Sequence, residues 1–296
     1  MSDDQSILTT SLLDLLYELR DQPMPLILGG GYGLFVKQVH LQKSLQNAAT
    51  PATLISDVLW PVPRATEDLD ILLTTEVVID AARMRPIRAA LDRLGYVAIP
   101  GAEYMQFAKP LGGGRIAKVD LLTGPLGAFA DDPRVKVDDR RVRPRESVQL
   151  HAHRTDEAIA FQEDTLAIPV RGTLSSGDTY EAVVHVPQPF TLLLMKLFTF
   201  RDRCMDAAKD MARHHALDLY RIVAFMTNAE FDQTERQIRQ HQNEPAVVEA
   251  SRIVAEHFAS TESLGPLRLR EHRLWNERMA MADFLSAIKD LFVARS

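Results

Sequence analysis

Two aspartates in Arg64-Ala65-Thr66-Glu67-Asp68-Leu69-Asp70 have the types and spacing to do chemistry. They open an alternating run that continues through Ile71-Leu72-Leu73, so the segment predicts a strand. Successive strand side chains point to opposite faces, which sends Leu69 and Ile71 into a core and leaves Asp68 and Asp70 together on the other face, about 7 Å apart along the strand. Like charges so placed repel, and a divalent cation is the usual compensation. A third acid, Asp120, stands alone in the apolar run Ala117-Lys118-Val119-Asp120-Leu121-Leu122. If that strand pairs beside the first, three hard oxygen donors converge. Such a set suits Mg²⁺ or Mn²⁺ and, through the cation, a nucleotide's phosphates. The plainer reading of the same pattern is a half-exposed strand without a ligand.

Upstream, Gly29-Gly30-Gly31 separates the apolar Leu26-Ile27-Leu28 from a helical pattern running from Tyr32 to Leu45. Glycines between a strand and a helix let backbone N–H groups approach an anion at the positive end of the helix dipole. A tight turn with no ligand has the same sequence. No Gly-Lys-Ser/Thr follows, which excludes a P-loop, and the glycine spacing is not that of a dinucleotide fingerprint.

The elements that must position these groups alternate along the chain. Leucines at helical spacing predict a helix over 6–20, stopped by Pro23 and Pro25, and 46–63 reads as an irregular insertion. After the Asp68 strand, a helix is predicted from Val77 to Leu94, ended by Gly95, then strands over 96–99, 104–108 and 115–122. Pro110 and Gly112-Gly113-Gly114 mark a hairpin, which favours a mainly antiparallel or mixed sheet. Further β-like runs are expected at 158–161, 166–170 and 180–186. Beyond Pro187 the composition turns helical, with helices over 190–200, 206–227, 231–240, 246–259 and 273–292. The reading is an α/β (α+β) chain with a mixed β-sheet: a catalytic domain over 1–187 and a helical C-terminal domain over 188–296, with the active cleft between them.

Gly30-Gly31-Tyr32-Gly33-Leu34, Arg64-x-Thr66-x-Asp68-Leu69-Asp70 and the isolated Asp120 together resemble the signature of the polymerase-β-type nucleotidyltransferase superfamily. Pro189-Phe190, Lys196-Leu197-Phe198-Thr199-Phe200-Arg201 and Ala216-Leu217-Asp218-Leu219-Tyr220 narrow the match. They are similar to the AbiEii-type toxins and the related MenT nucleotidyltransferases, over roughly residues 26–223.

The resemblance implies a nucleotidyltransferase fold and transfer of an NMP from an NTP to an acceptor hydroxyl, on a tRNA 3′ end or a protein. It implies Asp68, Asp70 and Asp120 as metal ligands, Asp120 also helping to activate the attacking group. Gly30, Gly31, Arg64, Thr66, Lys196 and Asp218 would be nucleotide-binding residues. Its setting is the toxin of a toxin–antitoxin or phage-defence pair, with a cognate antitoxin as partner. Two departures stand out: Gly31 and Asp68 are farther apart than the compact spacing of the family, so 46–63 must loop out, and Gly31 replaces a frequent serine. The rivals are a catalytically inactive nucleotide- or partner-binding module and a small-molecule nucleotidyltransferase, such as one that modifies an antibiotic.

Other residues are read more plainly. Lys196, amid Leu192 to Leu194 and Leu197, either snorkels to water or meets an anion. His214 and Asp218 are spaced as a helix-surface pair, and His151 and His153 lack partners at zinc spacing. Arg134, Lys136, Arg140, Arg141, Arg143 and Arg145 form a basic segment that could grip an RNA backbone, though a charged solvent loop is the commoner meaning. Trp275 and Phe284 read as core.

The whole chain sets the bounds. Its 296 residues are 46% hydrophobic and 25% charged, which excludes disorder, collagen-like repeats and a disulfide scaffold. The lone Cys204, the acidic, polar start and the absence of any bilayer-length apolar run lead to the expectation of a soluble, cytoplasmic protein with no membrane partner. A net charge of −6 repels nucleic acid except at a local basic patch.

Overall fold

The computed structural model describes residues 3–22, 24–46, 52–64, 66, 68–102 and 104–293. The chain divides into two compact units, Met1–Val36 with Arg64–Pro187, and Lys37–Pro63 with Gln188–Ser296.

The first unit is α/β with a mixed sheet, built on α1 (Asp3–Glu18), β1 (Ile27–Leu28), the start of α2 (Gly30–Gln46) and β2 (Asp68–Leu72). It continues through α3 (Thr75–Val78), α4 (Ala81–Arg93), β3 (Val97–Ala98), β4 (Gln106–Gly112) and β5 (Arg115–Thr123). The remaining strands are β6 (Val135–Asp138), β7 (Arg141–Pro144), β8 (Ala152–Arg154), β9 (Leu166–Thr173) and β10 (Thr179–Val186). The strand order is β6-β7-β8-β5-β2-β1-β10-β9, and the β3–β4 hairpin also joins β5. β2–β5, β5–β8 and β1–β10 are parallel while the other pairs are antiparallel, so the sheet is mixed. Leu8, Leu12, Leu13 and Leu15 of α1 are buried, and α1 meets β2, β5, β9 and β10.

Several expected elements differ, each for a local reason. The helix expected over 77–94 is two, because Asp80 takes an extended backbone and caps α4 by accepting from the Ala82 N–H at 2.8 Å. The strand expected at 158–161 is a series of turns, with Ala160 at φ +56°. Its apolar character has another cause: Ala158 and Phe161 are buried, closing over Gly124. The basic segment read as a solvent loop is the β6–β7 hairpin, in which Val135 and Val142 are buried.

The second unit is helical: α5 (Pro189–Arg203), α6 (Arg213–Ala224), α7 (Asn228–Gln240), α8 (Pro245–His257), α9 (Leu264–Arg270) and α10 (Met281–Phe292). α5 packs on α6, α7 and α8, and Tyr220, Phe284, Phe258 and Phe200 form a chain of ring contacts 5.1–6.1 Å apart. The helix expected over 206–227 begins only at Arg213, because Asp210, Met211 and Ala212 have left-handed backbones after a 3₁₀ turn. α10 likewise starts at Met281, leaving Trp275 half-buried in a turn while Phe284 is buried core.

The insertion joins this unit. Within it, 47–51 lie outside the described residues; beyond them Thr53 bridges Thr227, and Trp60 is buried with its ring 4.7 Å from that of Phe225. Among the described residues no helix is long and apolar enough to cross a membrane.

Candidate active site

The acids take their places from strand register. Leu69 and Ile71 are buried, so Asp68 and Asp70 share the opposite face of β2. The parallel pairing of β2 with β5 sets Asp70 beside Asp120 and Asp68 beside Lys118. On the other side of β5, the antiparallel β4 sets Gln106 opposite Asp120. One row across three strands therefore reads Asp70, Asp120, Gln106.

The side chains interact along that row. The Gln106 amide Nε2 donates to Asp120 Oδ2 at 2.8 Å, and Lys118 Nζ lies 3.5 Å from Asp68 Oδ1. Burial pushes the Asp120 carboxyl up to about 6 from its ordinary 3.8, with Asp70 and then Asp68 adding to the rise; Gln106 and Lys118 oppose it. Asp120 Oδ1 and Asp68 Oδ1 are both buried with no hydrogen-bond partner among the described residues. Oxygens of this kind, crowded by like charge, fit a hard divalent cation in their chemistry. As they stand, however, the described residues include no group of three acid, histidine or cysteine side chains spaced to hold a metal ion. Lys118 takes up part of the charge that a cation would neutralise, and the neutral Gln106 amide adds a hydrogen bond to Asp120.

The glycine turn is fastened to this row. The Gly29 N–H donates to the Asp70 carbonyl at 2.8 Å, and Gly30, at φ +60°, lies so close to Asp70 that a Cβ there would collide with its carboxylate. A Cβ on Gly31 would come within 2.5 Å of an Arg64 guanidinium nitrogen and 2.6 Å of Thr66 Cγ2. Arg64 and Thr66 thus fill the space that a side chain at Gly31 would enter. Because the first helical hydrogen bond runs from Gly33 N to Gly29 O at 2.9 Å, the N–H groups of Gly30, Gly31 and Tyr32 fall outside the α2 ladder. In the first unit the fold therefore brings together Gly30, Gly31, Arg64, Thr66, Asp68, Asp70 and Asp120.

Lys196 and Asp218 belong to the second unit and meet each other. Lys196 Nζ on α5 is 2.9 Å from Asp218 Oδ2 on α6, and the Arg221 guanidinium donates to Asp218 Oδ1 at 3.0 Å. Asp218 and Arg221 are fully buried, and Arg221 also donates to Gln38 Oε1 at 3.1 Å. A buried carboxylate shared by two cations holds those cations in place. Asp218 lies in the core rather than on the helix surface expected for a His214–Asp218 pair, and His214 contacts His272 at 2.8 Å and Asp210 at 3.4 Å.

No protein-family model matches the chain, and no characterised protein matches it by sequence. Among solved structures, the solution structure of the antibiotic-resistance factor ANT(2'')-Ia is similar at a TM-score of 0.36 and 11% identity, covering 81% of this chain and 98% of that one. So distant a likeness establishes neither family nor substrate.

Sequence reasoning missed Gln106, Lys118, Arg221 and Gln38. Lys118 was within reach, two residues before Asp120 and hence on the same face of β5. Gln106 required the β4–β5 register, and Gln38 a contact between residues 183 positions apart.

Proposed function

We propose that this chain is a metal-dependent nucleotidyltransferase that moves an NMP from an NTP to an acceptor hydroxyl. The observation that carries the reading is the register of β2 and β5, which faces Asp70 with Asp120 while Gly30 presses on Asp70. The N–H groups at the start of α2 would receive the triphosphate, and Arg64 and Thr66 beside Gly31 would add a cation and a hydroxyl to the same anion. Asp68, Asp70 and Asp120 would hold Mg²⁺ or Mn²⁺, which supplies charge neutralisation at the phosphates when bound. Asp120 Oδ1 would take the proton of the attacking hydroxyl. On the resemblance alone, Lys196 is proposed as a further phosphate contact, held by Asp218.

The hairpin bears on the acceptor. Arg134 pairs with Asp132, Arg141 and Arg143 with Asp138, and Arg145 donates to the Pro133 carbonyl. Pairing with local acids lowers what Arg134, Arg141 and Arg143 offer a phosphate backbone, so a protein hydroxyl is proposed as acceptor alongside a tRNA 3′ end. The toxin setting and its antitoxin rest on the resemblance alone. There, expression without a partner should slow growth and Asp70→Ala should relieve it; equal growth of cells carrying either form would remove the toxin reading.

The enzymatic reading is tested by pyrophosphate release. Wild-type protein with Mg²⁺, each NTP in turn and a cell extract should release pyrophosphate, and Asp68→Ala or Asp70→Ala should lower the rate at least ~100-fold, the scale lost with an essential electrostatic group. Folded variants that release it as fast as wild type would refute the assignment.

A further inference from the structure

The first unit holds a cavity of about 280 Å³ that the acids do not use. Its walls are apolar: Leu15 and Leu19 of α1, Leu26 before β1, Ile71 of β2 and Ile87 of α4. Ile71 points away from the face that carries Asp68 and Asp70, so the cavity lies behind the acid strand. Its polar lining is selective. Arg20, Gln22, Tyr180 and His185 contribute to it and, among the described residues, no aspartate or glutamate does, in a chain of net charge −6.

Of the basic groups, Arg20 retains capacity for an anion. The Arg20 guanidinium lies over the Tyr17 ring, with its centre 4.1 Å from the ring centroid, and its Nη1 donates to the Tyr17 carbonyl at 2.6 Å; its ion-pair contact with Asp21 is long, at 3.8 Å and well exposed. His185 uses Nδ1 on the Thr165 hydroxyl at 2.8 Å.

We propose that this cavity is a binding site for a medium-chain monocarboxylate, its apolar tail against Leu15, Leu19, Ile71 and Ile87 and its carboxylate on Arg20. Size fits the class. A cavity of about 150 Å³ holds one benzene ring, so this one accommodates roughly ten non-hydrogen atoms, the number in octanoate. An apolar pocket with a few convergent polar groups is the general form of a small-molecule site.

Isothermal titration of the full chain with octanoate and with 1-octanol tests the proposal. Expected are saturable one-to-one binding of octanoate, at least tenfold weaker binding by octanol, and a similar loss with Arg20→Gln. Ala182→Phe, which places a ring in the cavity wall, should abolish binding while circular dichroism and Tm show that it remains folded. Should that variant fail to fold, Leu19→Phe serves the same purpose. Absence of saturable binding, octanol binding as tightly as octanoate, or undiminished binding by a folded cavity-filling variant would each overturn it.

Discussion

Asp120 is an acid held at a cost to the fold. Its carboxyl is pushed up to about 6, chiefly by burial, so between about pH 3.8 and 6 the folded chain keeps a proton that the unfolded chain has released. The penalty is absent below about pH 3.8, where both states are protonated, and complete above about 6. Asp120→Asn removes it while preserving an oxygen for Gln106. In EDTA the variant should therefore melt above wild type at about pH 7.5 and converge with it near pH 4, and Mg²⁺ should raise wild type alone. Thermal scans check this; a variant no more stable than wild type at neutral pH contradicts it. Gly30 supplies a second test at this scale. Gly113, at φ +59° with open space around its Cβ position, isolates the left-handed backbone penalty, so Gly113→Ala should cost about 1 kcal/mol. Gly30→Ala carries that penalty and a collision with the Asp70 carboxylate, and should cost a further ~2 kcal/mol or more in urea unfolding.

At the scale of elements, the second unit is tied by charge as well as by its aromatic chain. Asp218→Asn leaves Lys196 and Arg221 without their shared counter-ion and should cost about 3–5 kcal/mol, whereas Lys196→Met leaves the Asp218–Arg221 pair intact and should cost less. Denaturant melts of the two variants give the order. Thr227 and Glu230 cap α7 reciprocally, and Glu230 also binds Lys37 at 2.5 Å, so Thr227→Ala should cost about 1 kcal/mol. What was legible in the sequence follows the same physics. Strand alternation put Asp68 and Asp70 on one face, and the glycine-rich 112–114 marked the β4–β5 turn, because both signals are local. The break at Asp80, the left-handed run 210–212 and the turns at 158–161 escaped, since each depends on a cap or a burial partner that periodicity does not carry. Gln106 escaped because only a register, fixed across two strands, brings it to Asp120.

For the whole molecule, sequence order and structural membership diverge. Residues 37–63 belong to the helical unit with 188–296 through contacts such as Thr53–Thr227 and Trp60–Phe225, which nothing in local composition announces. The net charge of −6 repels polyanions in bulk, and Arg134, Arg141 and Arg143 of the hairpin are paired with Asp132 and Asp138. The proposed function requires that the phosphorus retained by the acceptor be the α-phosphorus. Wild-type protein, Mg²⁺ and cell extract should therefore be incubated in parallel with α-labelled and γ-labelled NTP. The account predicts stable labelling of an acceptor from the α-position only, lost with Asp70→Ala. Labelling from the γ-position, or α-labelling that survives in the folded Asp70→Ala protein, would contradict it.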